Sequence, residues 1–333
     1  MSKVIKRLVA AVPVSLGVAI VAFLFLRFLP GDPVEIMLGD TNVTQQQVEQ
    51  LRSEMNLDRP LLEQLGLFLA GVAGGDLGYS IVKNQPVARL ILDTLPATIE
   101  LTFFTILVAI AIALPVGIVS ALKAGSWLDR LVLGTTLVGV SMPAFWFGLL
   151  LILLFSVELG VLPTSGRIPA AVLVPDRTGF MLIDTLLAGD LRAFGAALRH
   201  LVLPSLTLGV VFAVVLARVV RSSMVEVMGR DYVTTARSKG LPERVVVIKH
   251  ALRNALIPAL TVTGLQIGEL LGGNMIVETI FSWPGLGRLV VSSIFARDYV
   301  VVQAAVMLYA LTYVAVNLVV DVLYTYLNPR IAL

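Results

Sequence analysis

Apolar runs of about 20 residues, separated by polar stretches, constrain this chain more than any other feature. A run of that length crosses a hydrocarbon layer as a helix, because a helix satisfies its own backbone hydrogen bonds there. Six runs read as spans: residues 8–29, 97–122, 131–157, 201–220, 256–277 and 300–326. The expected fold class is therefore an all-α polytopic membrane protein with six transmembrane helices. Pro115 and Pro143 lie inside the second and third runs and predict local kinks. Lys3, Lys6 and Arg7 precede the first run as they would in a signal peptide. That run is too long for such a peptide and no small-residue cleavage site follows, so it reads as an uncleaved first span.

Length alone would suggest two soluble domains, but 57% hydrophobic and 14% charged residues override that prior. The formal net charge is only +3, so a basic pI gives no reason to expect nucleic acid. With no cysteine, disulfides, thiolate metal sites and cysteine nucleophiles are excluded. The distribution of charge is more telling. Residues 1–7, the link near Lys123 and Arg130, and 221–255 are basic, whereas 30–96 is acidic and 158–200 balanced. Lysine and arginine collect on the cytoplasmic side. This predicts a cytoplasmic N-terminus (1–7), loop (221–255) and tail (327–333), with 30–96, 158–200 and 278–299 outside.

The outer segments are too long for simple turns. Thr44 and Gln47 match a capping box, followed by Val48, Leu51 and Met55 on one helical face. "LLEQLGLFLAGV" is too short to span and reads as an outer-surface or interfacial helix. Phe180–Leu187 has the pattern of a short amphipathic helix. These segments form an outer mouth, or else are passive decoration.

The stretch 231–258, "DYVTTARSKGLPERVVVIKHALRNALIP", is a polar and cationic part of an oily chain, set between two apolar ones. Gly240 suits a helix C-cap and Pro242 the first turn of the next helix. Two short helices, 225–239 and 242–254, are expected to meet at a corner pointing away from the membrane. Val245, Ile248 and Leu252 share a face that would lie on the bundle base, and Lys249 and Arg253 lie beside it. A basic loop that merely obeys the topology rule is the plainer alternative, but topology alone needs no defined corner.

This stretch resembles the coupling loop of ABC importer permeases, in which a glycine follows a Glu-Ala-Ala-like triplet. Here Thr234, Thr235 and Ala236 occupy the triplet and Gly240 is the glycine. The glutamate is missing, so no contact through that carboxylate carries over. "TARSKGL…HALRNA…P" is similar to the peptide/nickel branch of the family. "LPGDP", "GDLGYS", "SMPAFWFG", "LPTSGR", "ETIFSWPGLG", "RDYVVVQ" and "NPRI" resemble its B-type dipeptide/oligopeptide members, and "TGFMLIDTLL" points to the dipeptide group. The resemblance covers nearly the whole chain.

It implies a bacterial cytoplasmic (inner) membrane permease that is not itself an enzyme. The implied partners are a second, C-type permease, two ABC ATPase subunits, an extracytoplasmic peptide-binding protein and membrane lipid. ATP and Mg would be bound by the ATPases. No G-x-x-x-x-G-K-[ST] phosphate loop occurs in this chain, and no cofactor is expected to bind it. The corner formed by Thr234, Thr235, Ala236, Arg237, Lys239, Gly240 and Leu241 would then seat in a groove of an ATPase. Neither His200 nor His250 has metal-site spacing; each reads as a cap or surface residue.

Gly264, Gly268 and Gly272 form a stripe that admits a close helix neighbour, within the chain or at an interface with the second permease. Glu269 sits about midway along the fifth expected span. A carboxylate at that depth faces a cavity or a partner rather than lipid. It is a candidate translocation-path residue favouring an amine-bearing substrate, or it ties helices together. Arg27, Glu100, Arg218 and Asp321 lie near span ends, as anchors or interhelical pairs. "FSWPGLGRL" suits either a half-entering loop or a tight outer turn. Two rivals stand beside the peptide importer. One is a proton-coupled secondary transporter using Glu269; the other is an ABC permease for a nickel chelate, glutathione, haem or sugar.

Overall fold

The computed structural model describes residues 2–28, 45–54, 56–80 and 82–327. "LPGDP", Thr44, Met55 and "NPRI" lie outside these residues, as do the side chains of Arg27, Leu51 and Asp321. Helix α1 is Ser2–Phe28, α2 Gln45–Glu54 and α3 Leu61–Ala73. A two-residue antiparallel ladder, β1 (Tyr79–Ser80) on β2 (Gln85–Pro86), pairs Tyr79 with Pro86. Then come α4 (Val87–Leu122), α5 (Trp127–Ser141), α6 (Ala144–Glu158), α7 (Met181–Leu187), α8 (Leu191–Met228) and α9 (Asp231–Ser238). α10 runs unbroken over Glu243–Leu271, and α11 (Met275–Ile280), α12 (Leu286–Phe295) and α13 (Tyr299–Leu327) close the chain.

α4, α8, α10 and α13 are long and apolar enough to cross a membrane. Among the described residues, α1 contributes a shorter apolar stretch, Ala11–Leu24, and α6 another, Ala144–Glu158. The third expected run is not one helix. Pro143 lacks a backbone donor and disfavours helical backbone at Met142, whose ψ is 122°, so α5 stops and α6 begins there. Pro115, by contrast, stays inside continuous α4.

α4 has 36 residues and α8 has 38, lengths of about 54 and 57 Å. Both exceed the roughly 30 Å hydrocarbon layer. α8 starts ten residues before its expected boundary because Asp190 caps it, accepting from the N–H groups of Arg192 and Ala193. α4 and α8 pack along each other more extensively than any other pair, α13 lies on α1 and α10, and α10 lies on α8. Small residues allow the close approach: Ala113, Ala121, Ala213, Ala217, Ala251 and Ala255 fill the core between α4, α8 and the start of α10. Larger side chains, including Leu101, Leu208, Phe281 and Trp283, fill the core at the opposite end.

Candidate functional site

The corner joins α9 to α10. α8 ends at Met228, and the chain re-enters helix at Asp231 after Gly229 and Arg230. This corrects the expectation of two short helices over 225–239 and 242–254. The first is the tail of α8 plus a separate α9, and the second is the base of a 29-residue rod. Gly240 adopts φ +73°, a left-handed conformation that other residues reach only with strain, and its N–H donates to Arg237 O at 2.9 Å. Pro242 then sets the first turn of α10.

Val233, Ala236 and Val246 are buried together beneath the corner, packed by Val227 and Met228. Above them Thr234, Thr235, Arg237, Lys239, Gly240 and Leu241 are exposed. Arg237 Nη2 donates to Glu243 Oε1 at 2.7 Å, bridging the turn. Asn254 Nδ2 donates to Tyr232 Oη at 2.8 Å and ties α9 to α10. Ala236 is thus the one residue of the sequence-predicted set that anchors the corner from inside; the others form its ridge. A groove of about 720 Å³ opens beside it, lined by Ser223, Glu226, Arg230, Tyr232, Asn254 and Pro258.

The buried face of this part of α10 differs from the predicted one. Val246, Val247 and Ala251 are buried, while Val245 and Ile248 are exposed. The cause is a wide π-type turn over Val246–Leu252, whose extra residue rotates the helix face away from the regular 3.6 period.

The glycine stripe meets the chain's own α13. A Cβ built on Gly264 would lie 2.1 Å from Val320 Cγ2, and one on Gly268 2.9 Å from Tyr313 Cδ2. One on Gly272 would lie 1.6 Å from Tyr309 Cδ2. Of the two expected neighbours for this stripe, the chain's own helix is the one seen here. Glu269 is exposed, but it is not midway along a span. α10 ends at Leu271, so Glu269 stands in its last turn.

Away from the corner, a polar network holds the opposite end. Glu278 in α11 is 1% exposed. Its carboxylate accepts from Thr98 Oγ1 and from the Arg288 N–H, both at 3.0 Å. Thr98 Oγ1 in turn accepts from the Leu286 N–H at 2.8 Å. Burial raises the Glu278 pKa above the usual carboxylate value, against these donors, which lower it. Trp283, fully buried, donates from Nε1 to Ala97 O at 2.8 Å. Glu100 is not a lipid-facing anchor: it is bound by Nη2 of Arg167, in the segment between α6 and α7, at 2.6 Å and by the Leu182 N–H of α7 at 2.9 Å. The Arg167 guanidinium also stacks over Trp283 at 5.6 Å.

His200, read as a cap or surface residue, is buried in α8 with Nδ1 2.9 Å from Ser165 O. Ser80 Oγ donates to Asp298, joining the β1–β2 turn to the start of α13. Sequence reasoning quoted "LPTSGR", "ETIFSWPGLG", "GDLGYS" and "RDYVVVQ" as separate motifs. The structure joins the first to the second and the third to the fourth. Among the described residues, no cluster of three or more His, Asp or Glu has metal-site geometry.

The long apolar helices and the exposed polar corner suit a membrane protein with a face turned to water. Residues 113–333 match the family "Binding-protein-dependent transport system inner membrane component", and 1–102 match the N-terminal module of the same class. The chain belongs to this family and is an inner-membrane transport component. It is 46% identical over 331 residues to the di/tripeptide transport system permease protein of Pseudomonas aeruginosa strain UCBPP-PA14, covering 99% of this chain and 98% of the relative. It is 44% identical over 331 residues to the dipeptide transport system permease protein of Escherichia coli strain K12, covering 98% of each. It is 42% identical over 328 residues to the glutathione transport system permease protein of Escherichia coli O6:H1, again covering 98% of each. Family membership sets aside the proton-coupled secondary transporter.

Proposed function

We propose that this chain is the permease subunit of an ATP-driven importer for dipeptides or short oligopeptides. The observation that carries the substrate class is the near-full-length identity to dipeptide permeases. In this reading six spans cross the membrane with both termini in the cytoplasm: α1, α4, α5 with α6, α8, α10 and α13. The corner of Thr234, Thr235, Ala236, Arg237, Lys239, Gly240 and Leu241 faces the cytoplasm and couples to a separate ATPase. Its rigid, exposed ridge supports this role. ATP and Mg are bound by two such ATPases. A C-type permease completes the path, and a peptide-binding protein docks on 30–96 and 158–200.

The test is a tagged pull-down from solubilised membranes with an ATPase assay, comparing wild type with Gly240→Pro and Arg237→Glu. The expected result is co-purification of an ATPase that the corner variants lose while retaining the second permease. A wild-type chain that purifies alone would overturn the reading.

A further inference from the structure

α5 runs back along α8, with Asp129 meeting Arg221 near one end and Gly139 close to Val214 near the other. A Cβ built on Gly139 would lie 2.9 Å from Val214 Cγ2. Apolar packing does not lock the helix in place. Among the described residues, no hydrophobic side chain of α5 belongs to the buried core, and Trp127 and Leu131 are exposed. The side chains of α5 that are buried, among those described, are the polar Asp129 and Thr136. The far end of α5 leads into the break at Met142 and Pro143, so no continuous helix ties it to α6.

The Asp129 carboxylate supplies what packing does not. Its side chain is 3% exposed and accepts twice from Arg221, once from Ser120 in the last turn of α4 and once from the Gly125 N–H in the turn that follows. Apolar contact is non-directional, whereas a two-pronged guanidinium–carboxylate pair fixes distance and orientation together. Arg221 stands about two turns before the end of α8. At that end Val227 and Met228 pack against both the core under the corner and the core between α4, α8 and α10. A shift of the corner therefore moves the part of α8 that carries Arg221, and the ion pair is the directional contact through which α5 follows.

We propose that Asp129 and Arg221 are positioning residues for transport: they make α5, the first half of the split third span, move with α8 when an ATPase displaces the corner. The inference rests on the peptide-importer reading and deepens it, since it adds a second route for the stroke beside α10. Ser120 and Gly125 hold the carboxylate in the direction that Arg221 meets. The pair acts not on cargo or nucleotide but on how much uptake accompanies each ATP hydrolysed.

The test uses the intact importer in proteoliposomes, with its binding protein and labelled alanyl-alanine, and reads uptake and ATP hydrolysis in the same vesicles. Asp129→Asn is expected to lower uptake per ATP hydrolysed about three- to tenfold. Subunit stoichiometry and binding-protein-stimulated ATP hydrolysis per assembled complex should stay at wild-type levels. Arg221→Lys, which keeps the charge and loses the fork, should lower the ratio less. A variant that merely unfolds lowers uptake and hydrolysis in proportion and leaves the ratio unchanged. That proportional loss, or an unchanged ratio at full activity, would overturn the proposal. Loss of the ATPase from the Asp129→Asn complex would overturn it too, and would assign the clamp to shaping the corner. Should Asp129→Asn not reach the membrane, the Arg221→Lys ratio decides, and a wild-type value there overturns the proposal. If the wild-type assembly itself fails to take up alanyl-alanine with ATP, the peptide-importer reading fails instead.

Discussion

Arg221 grips Asp129 across 92 residues of sequence, with Nε to Oδ1 at 2.5 Å and Nη2 to Oδ2 at 2.6 Å. Ser120 Oγ adds a third hydrogen bond at 2.5 Å and the Gly125 N–H a fourth at 2.9 Å. The turn between α4 and α5 is thereby fastened to α8 close to the corner. Arg221, Ser120 and Gly125 hold the Asp129 carboxyl well below the usual carboxylate range. A depressed value means the clamp stabilises the fold above the ordinary carboxylate pKa and is lost only as pH falls through the lowered one. The clamp therefore stays closed at every pH near neutrality.

Replacing Arg221 with Gln leaves the Asp129 carboxylate without its cation, so thermal stability of the solubilised complex should drop. Arg221→Lys should be milder, because lysine keeps the charge but not the two-pronged geometry. A melt of Arg221→Gln indistinguishable from wild type would show the clamp to be dispensable.

Glu278→Gln should cost about 1–3 kcal/mol of stability, since the amide nitrogen presents a donor to a pocket already filled with donors. The pH dependence should also change. Burial raises the folded-state value of Glu278. Between the ordinary and the raised value the folded chain binds more protons than the unfolded one, so stability falls as pH rises through that window. Unfolding curves of Glu278→Gln across this range should lack that component.

Gly264→Ala should destabilise by about 1–3 kcal/mol, because its Cβ would overlap Val320 Cγ2 at 2.1 Å. Combining it with Val320→Ala should return much of the loss, as expected for a size-compensating pair. The double-mutant cycle measures this directly; strict additivity would mean that α10 and α13 do not meet there.

At Gly240 the constraint is conformational, since no heavy atom lies within 4 Å of a built Cβ. Gly240→Asn should therefore keep ATPase association while Gly240→Val weakens it, because asparagine tolerates the left-handed region and a β-branched residue does not. Equal binding by both variants would detach the turn from coupling.

Deleting part of residues 44–72 should abolish peptide uptake while leaving the chain inserted in the membrane. Immunoblotting of membranes beside an uptake assay separates the two effects. Normal uptake would remove this segment from binding-protein docking.

The sequence showed the apolar elements and the corner because both depend on local chemistry: run length, a left-handed glycine and a proline at a helix start. Helix limits were less legible. The extensions at Val87 and Leu191 are largely apolar but carry Arg89, Asp93, Arg192 and Arg199, which set them outside the expected spans; Asp190 caps the second and buried neighbours hold both. The face of α10 was misread because Val246–Leu252 takes on an extra residue that no residue type announces. The pairs Glu100–Arg167, Thr98–Glu278 and Asp129–Arg221 were hidden for a different reason. Each joins segments 67, 180 and 92 residues apart, and a single sequence carries no sign of which distant charge will be its partner.

The corner and Glu269 lie at the two ends of α10. Its 29 residues make a rod about 43 Å long, continuous helix without a hinge loop. A subunit that pushes on the base of this rod also moves its tip. A push on the corner is thus carried along one piece of backbone, and the wide turn at Val246–Leu252 and Pro258 just beyond it are places where it can be absorbed as twist before it reaches the far end.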